Sequence, residues 1–176
     1  YVGLLSAAAL HGATQQQPQE FQVVTDRPVR VIRAGRARLR FFASRYVDIA
    51  AVMEVKTPTG PMRVSTPETT AVDLVRFRSS AGGLGNVAVI LEELSSRLDP
   101  GRLLAAVRRV GEVPCAQRLG HLLDRAGQRR LSRPLHGWLE SRRPRMLPLR
   151  SGRPFRGSPP DRRWRLWLNP PLEAEA

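Results

Sequence analysis

The periodicity of the apolar residues changes at Ser65-Thr66-Pro67-Glu68, and that change limits the folds open to the chain. Before it, apolar residues come in short, β-branched runs broken by turn residues, which is the pattern of strands. Phe21 to Thr25 is the first run, and Asp26, Arg27 and Pro28 turn the chain after it. Val29 to Arg33 and Arg36 to Ser44 follow around Gly35. In the second of these, Ala37, Leu39 and Phe41 alternate with Arg36, Arg38 and Arg40, so a half-buried strand with a basic outer face is predicted. Val47 to Thr57, the turn Pro58-Thr59-Gly60-Pro61 and Met62 to Ser65 predict a hairpin over 47–65. Ahead of the strands, residues 5–11 predict a short helix with Ser6 as N-cap and Gly12 as its stop, and residues 13–20 a polar loop.

Beyond the change the spacing is helical. Ser65 or Thr66 can cap, Pro67 suits a first turn, and Glu68 can return a capping-box bond. Ala71, Val72, Leu74 and Val75 then fall on one face. SSAGGLGN (79–86) reads as a loop, Asn86 to Leu98 as a helix, and Asp99-Pro100 as the start of another with Leu103, Leu104, Val107 and Val110 aligned. A third helix starts at Pro114, aligns Cys115, Leu119, Leu122, Leu123 and Ala126, and stops at Gly127. A fourth spans Ser132 to Ser141 with Leu135, Trp138 and Leu139. Residues 142–163 are rich in Arg, Pro and Gly and predict an irregular basic segment, and 163–169 a late strand with Trp164, Leu166 and Leu168 on one face. The expected class is α+β: an N-terminal antiparallel sheet packed on a helical C-terminal half, with a late returning strand. One domain over 1–176 is expected, divided into a mainly β part (1–78), a helical part (79–141) and the basic segment with the last strand (142–176).

With 176 residues, 41% of them hydrophobic, the chain can bury a core. No apolar stretch of about 18 residues is present, so no membrane partner is expected. The opening run YVGLLSAAALHG has no basic leader, which argues against a signal peptide. Cys115 is the only cysteine, so a disulfide framework within the chain is excluded and a reducing cytoplasm is the expected location.

The net charge is +14 and it is uneven. Residues 101–165 carry seventeen arginines against four acids, whereas residues 51–100 carry five basic groups against six acids. Lys56 is the only lysine. Two readings of the arginine excess stay open: a surface for polyanions, nucleic acid first among them, or arginine filling ordinary surface positions. The candidate phosphate contacts are Arg27, Arg30, Arg33, Arg36, Arg38 and Arg40 on the early strands, and Arg142, Arg143, Arg145 and Arg150 in the late segment. Phe155 and Trp164 lie among the late arginines, and aromatic rings assist on single strands. No reader motif such as a helix-turn-helix is evident.

Residues for catalysis are sparse. Asp48, Glu54 and Lys56 have even spacing, so a continuous strand would put them on one face in the acid, Glu-x-Lys order of a metal-dependent restriction-type nuclease. Against this, the two acids would then sit about 20 Å apart, unless the strand is broken between them. GGLG (82–85) precedes a helix, but no Lys-Ser or Lys-Thr follows, so it is not a P-loop. His11, His121 and His136 lack metal-ligand spacing, and His121 reads as a boundary residue. Cys115 lies on an apolar stripe and reads as a buried small hydrophobe. No metal, cofactor or catalytic group is expected.

YVGLLSAAALHGA followed by QEFQVVT, GPMRVSTPETTAVDLV, EVPCAQRLGHLLDRAG and RWRLWLNPPLEAE, in that order, resembles the C-terminal domain of AbiEi-type antitoxins of type IV toxin–antitoxin systems. The resemblance runs from Tyr1 to about Ala176. It implies a non-enzymatic antitoxin and transcriptional repressor. In such proteins an N-terminal winged helix binds the promoter of their own operon, and the C-terminal domain supports antitoxin action and can add DNA contacts through a positive surface. The functionally linked toxin resembles a nucleotidyltransferase, and direct contact with it is not required. No winged helix precedes Tyr1 in this sequence, and the chain does not open on Met, which reads as a truncated chain or an isolated domain.

Overall fold

The first three residues hold the sheet together. The computed structural model describes residues 1–14 and 18–170. In it Val2 lies between two sets of strands, bridged to Val23 on one side and Val64 on the other. Its amide donates to the Arg63 carbonyl at 2.8 Å, and its own carbonyl accepts from Ser65 at 2.9 Å. One set comprises β1 (Phe21–Thr25), β2 (Ile32–Ala34) and β3 (Ala37–Ala43) in the order β1-β3-β2. The other is the hairpin of β4 (Val52–Thr57) and β5 (Gly60–Ser65).

The α+β class is as the sequence implied, with strands first and helices after. The pairing of these strands is mixed, however, since β1 runs parallel to β3 while β2 pairs antiparallel with β3 and β4 with β5. β3 also places its residues differently from the alternation read in the sequence. Phe42 is the residue that reaches the core, while Leu39 and Phe41 are half-buried and Ala37 is exposed. The strand overhangs the edge of the core, so only its far end finds apolar cover. On β1 the buried pair is Val24 and Gln22. Gln22 is satisfied at this depth, its side chain accepting from the Leu5 amide and donating to the Ser80 carbonyl.

α1 (Leu4–Leu10) starts at Gly3 without a side-chain cap, and Ser6 lies inside it, accepting from the Gln22 amide at 2.9 Å. Gly12 follows at φ +70°, the left-handed stop expected there. The predicted hairpin starts late, because residues 47–49 form a 3-10 turn and the chain becomes a strand only at Val52. In the expected polar loop 13–20, residues 15–17 lie outside the described residues, as do residues 171–176 of the last part of the chain.

α2 (Pro67–Arg76) is the central helix, buried from Glu68 to Val75. Thr66 caps it, accepting from Thr69 N at 3.3 Å. Glu68 does not close a capping box. It sits one residue too early and instead accepts from the Asp99 amide at 3.1 Å, tying α2 to the start of α4 (Pro100–Val110). Asp99 caps α4 through the Arg102 amide. The predicted 79–86 loop is mostly ordered: a 3-10 turn spans 78–81 and α3 (Gly83–Leu94) begins within the glycines. Asn86, inside this helix, donates to the Ala81 carbonyl.

α5 (Val113–Arg125) packs beside α2 and α6 (Arg129–Arg142), and it is buried on all sides from Cys115 to Leu123. The apolar stripe expected there accounts for only part of that burial. The remaining face holds the late segment, which forms a second sheet of β6 (Leu147–Pro148), β7 (Pro160–Asp161) and β8 (Leu166–Trp167) in the order β6-β8-β7. The late strand is therefore two residues long, and two brief strands arise within the segment predicted as irregular. No helix is long and apolar enough to cross a membrane among the described residues.

Candidate nucleic-acid interface

The early arginines lie along the β2–β3 arm and the stretch that leads into it. Arg27, Arg30, Arg33, Arg36, Arg38 and Arg40 are all exposed. Register places Arg33 directly opposite Arg38. Like charges facing one another across an antiparallel pair destabilise it unless an anion intervenes. Glu20 supplies one carboxylate, 3.0 Å from Arg38 and 3.4 Å from Arg40, and Arg40 also lies over the Phe42 ring. Arg27 pairs with its neighbour Asp26 at 3.7 Å. Arg30, Arg33 and Arg36 have no side-chain hydrogen bond or ion pair among the described residues. Val29, Val31 and Ile32 are exposed between them.

The late arginines divide by role. Arg142 stacks on Trp138 with 5.2 Å between its guanidinium carbon and the ring centre. Arg150 is tied to the residues after β8 by its bond to the Asn169 carbonyl. Arg143 and Arg145 are exposed and unpaired among the described residues. Arg143 takes a left-handed backbone as it leaves α6, and so does Arg165 before β8. With Arg162 and Arg163 these two line a polar hollow of about 410 Å³, next to His136 and Glu140. Arg163 pairs with Asp124 at 2.9 Å. The early arginines thus lie on and around the β1–β3–β2 sheet, and the late ones between the end of α6 and the β6–β8–β7 sheet.

The face of α5 that holds the late segment was not foreseen. Gln117 donates to the carbonyls of Arg145, Trp164 and Arg165 at 3.0–3.1 Å. Arg118, 5% exposed, donates to the carbonyls of Leu149, Pro148 and Pro114 and to the Ser151 hydroxyl. Burial, with Arg78 nearby, brings its guanidinium down to about 10. His121 is buried and not a boundary residue. Its Nδ1 donates to Asp161 at 2.7 Å. Asp124 accepts from Ser132, and from the Trp164 indole at 2.8 Å. Gly120 leaves room for the Trp164 ring, which a Cβ there would meet at 2.0 Å. A glycine inside a helix was the one available signal, since it costs about 1 kcal/mol unless something packs against it.

The nuclease constellation is dispersed. Asp48 sits in the 3-10 turn, whereas Glu54 and Lys56 are exposed on β4, opposite Arg63 and Pro61. No group of three or more His, Cys, Asp or Glu placed to hold a metal occurs among the described residues. Burial pushes the Cys115 thiol up to about 12, and its sulfur faces the Val72 carbonyl, which suits a packing residue. A second buried cluster ties the sheet to α2. There Asp73 accepts from the Tyr1 hydroxyl at 2.7 Å and from Arg76 at 3.1 Å, and Arg76 reaches on to Glu112.

The fold is similar to that of the RV2827C protein from Mycobacterium tuberculosis, with a TM-score of 0.65 at 16% identity, covering 94% of this chain. This chain spans 60% of the length of that one. Among curated protein sequences none matches. The family profile of the AbiEi antitoxin C-terminal domain matches residues 1–125, so it takes in the sheet and α1–α5 and stops before the late segment. The chain therefore belongs to the AbiEi antitoxin C-terminal domain family.

Proposed function

We propose that this domain is the non-enzymatic part of a cytoplasmic antitoxin and transcriptional repressor, and that its arginines hold the phosphate backbone of DNA at the promoter of its own operon. The observation that carries the reading is the β2–β3 arm. It keeps Arg33 and Arg38 face to face and leaves Arg30, Arg33 and Arg36 without partners among the described residues. An arm of opposed arginines is stabilised by a polyanion lying along it. Sequence readout belongs to a winged helix outside this chain. The linked toxin is a nucleotidyltransferase-like protein whose action is opposed without direct contact.

The test is a titration of duplex DNA at several salt concentrations. Each phosphate contact contributes a slope of about −0.9 to log K against log salt. Replacing Arg30, Arg33 and Arg36 together by glutamine is expected to flatten the slope by about 2.7 on that basis. Absence of duplex binding at low salt would sink the phosphate-contact reading.

A further inference from the structure

The β6–β8–β7 sheet turns one face away from the core. Leu166 points inward and is fully buried. Its neighbour Trp167 therefore points the other way, as alternate residues on a strand must. Pro148 and Pro160 stand directly across from Trp167 on either side, so the outer face is a flat patch of two prolines around an indole. Phe155, 41% exposed, lies against that indole with the ring centres 6.4 Å apart and the planes 24° from parallel.

The surroundings of this stack are basic. Arg153 and Arg156 flank Phe155, are exposed, and have no side-chain partner among the described residues. No acidic residue occurs between Arg150 and Asp161, and Asp161 is engaged by His121. Arg150 is held below its ordinary value by burial and by the charges of Arg125 and Arg153, so positive charge is gathered here. The prolines also decide how a partner can dock. Lacking an N–H, they impair pairing along both outer strands, so the face is offered and the edges are not.

We propose that this face binds single-stranded nucleic acid, with unpaired bases continuing the Phe155–Trp167 stack and Arg153 and Arg156 meeting the adjoining phosphates. Stacking suits bases of any sequence because each has a π-face, and duplex bases are not free to join it. The inference rests on the polyanion reading above but adds a different substrate. Its energetic signature is loss of affinity when the ring is removed, separate from the salt-dependent phosphate contribution.

The experiment measures binding of dT12, U12 and a 12-base-pair duplex to the whole chain, by anisotropy and by tryptophan emission. Trp138 and Trp164 are buried, so quenching by a stacked base reports mainly on Trp167. Phe155→Ala is expected to weaken dT12 or U12 binding about 5- to 150-fold, the cost of one lost stack, while leaving duplex binding within about twofold. Phe155→Trp is expected to restore it, and unchanged circular dichroism establishes that both variants fold. Equal binding of the single strands by Phe155→Ala and wild type would overturn the proposal. Duplex binding without single-strand binding would overturn it too, leaving the promoter reading intact. Absence of both would remove the two together.

Discussion

Alanine in place of Gly120 tests how the late segment is held. In an ordinary helix this change stabilises by about 1 kcal/mol, because glycine is the poorer helix former. Here the added Cβ would lie 2.0, 2.1 and 2.5 Å from three carbons of the Trp164 ring, against an ordinary contact of 3.4–4 Å. The helix backbone cannot yield by that much, so the indole must leave its site. Trp164 is 1% exposed and donates to Asp124. Loss of a buried tryptophan costs about 3–5 kcal/mol, and the hydrogen bond to a charged acceptor about 1.5–3 more. Set against the propensity gain and partial relaxation, Gly120→Ala is expected to destabilise by about 3–5 kcal/mol, or about 6–20 °C in Tm for a chain of this length. Urea and thermal unfolding followed by tryptophan emission measure it. Gly137 in α6 is the control, because nothing lies within 4 Å of its Cβ position, and Gly137→Ala is expected to stabilise by about 0.5–1 kcal/mol. In a Trp164→Ala background the cost of Gly120→Ala should vanish, as two changes at one contact do not add. A Gly120→Ala protein as stable as wild type, with unchanged emission, would refute the packing argument.

Other outcomes follow from the same dock. Arg118→Leu leaves the carbonyls of Leu149 and Pro148 without their donors, at an expected cost of about 2–5 kcal/mol, and hydrogen exchange should show the amides around 147–151 losing protection first. Asp124 is pushed upward by its burial, but hydrogen bonds from Ser132 and Trp164 and the Arg163 charge outweigh this and hold it below the usual carboxylate range. A folded-state value lowered in this way gives stability that is present above the ordinary Asp value and is lost as pH falls through the depressed one. Asp124→Asn is therefore expected to show a smaller loss of urea midpoint on acidification than wild type, and an unchanged acid limb would count against the assignment.

What was legible in the sequence was whatever depends on near neighbours. Pro100 after Asp99, Pro67 after Thr66, and Gly12 or Gly127 past a helix end fix termini locally, and those termini stand where the spacing put them. Glu68 shows the limit. Its capping role was inferred from adjacency, but its partner is the Asp99 amide thirty-one residues away. The parallel pairing of β1 and β3 was likewise hidden, because consecutive strands with short links suggest hairpins, and nothing in 26–36 announces that β2 takes the outer position. At the candidate interface the arginines were visible as residues, but not their division of labour. Arg150 bonds the Asn169 carbonyl and Arg142 lies over the Trp138 ring, while Arg143 joins Arg162, Arg163 and Arg165 around one hollow. The polar face of α5 was not legible for a physical reason: Gln117, Arg118 and His121 resemble a solvated surface until a second segment supplies carbonyls and a carboxylate to meet them.

The position of Val2 at the seam of the sheet bears on how the domain assembles. The two halves of the sheet cannot be zipped together by local hairpin growth, because the strip that joins them comes from the opposite end of the β region, and its second partner, Val64, lies far along the chain. A loop of some sixty residues must close before the seam forms, and contacts of such long sequence separation are reached slowly. On the ribosome the segment around Val2 is made before β5, and it must wait until β5 has emerged. The hairpin β4–β5 and the helices after it can form sooner, so insertion of the opening residues would be a late, rate-setting event in maturation.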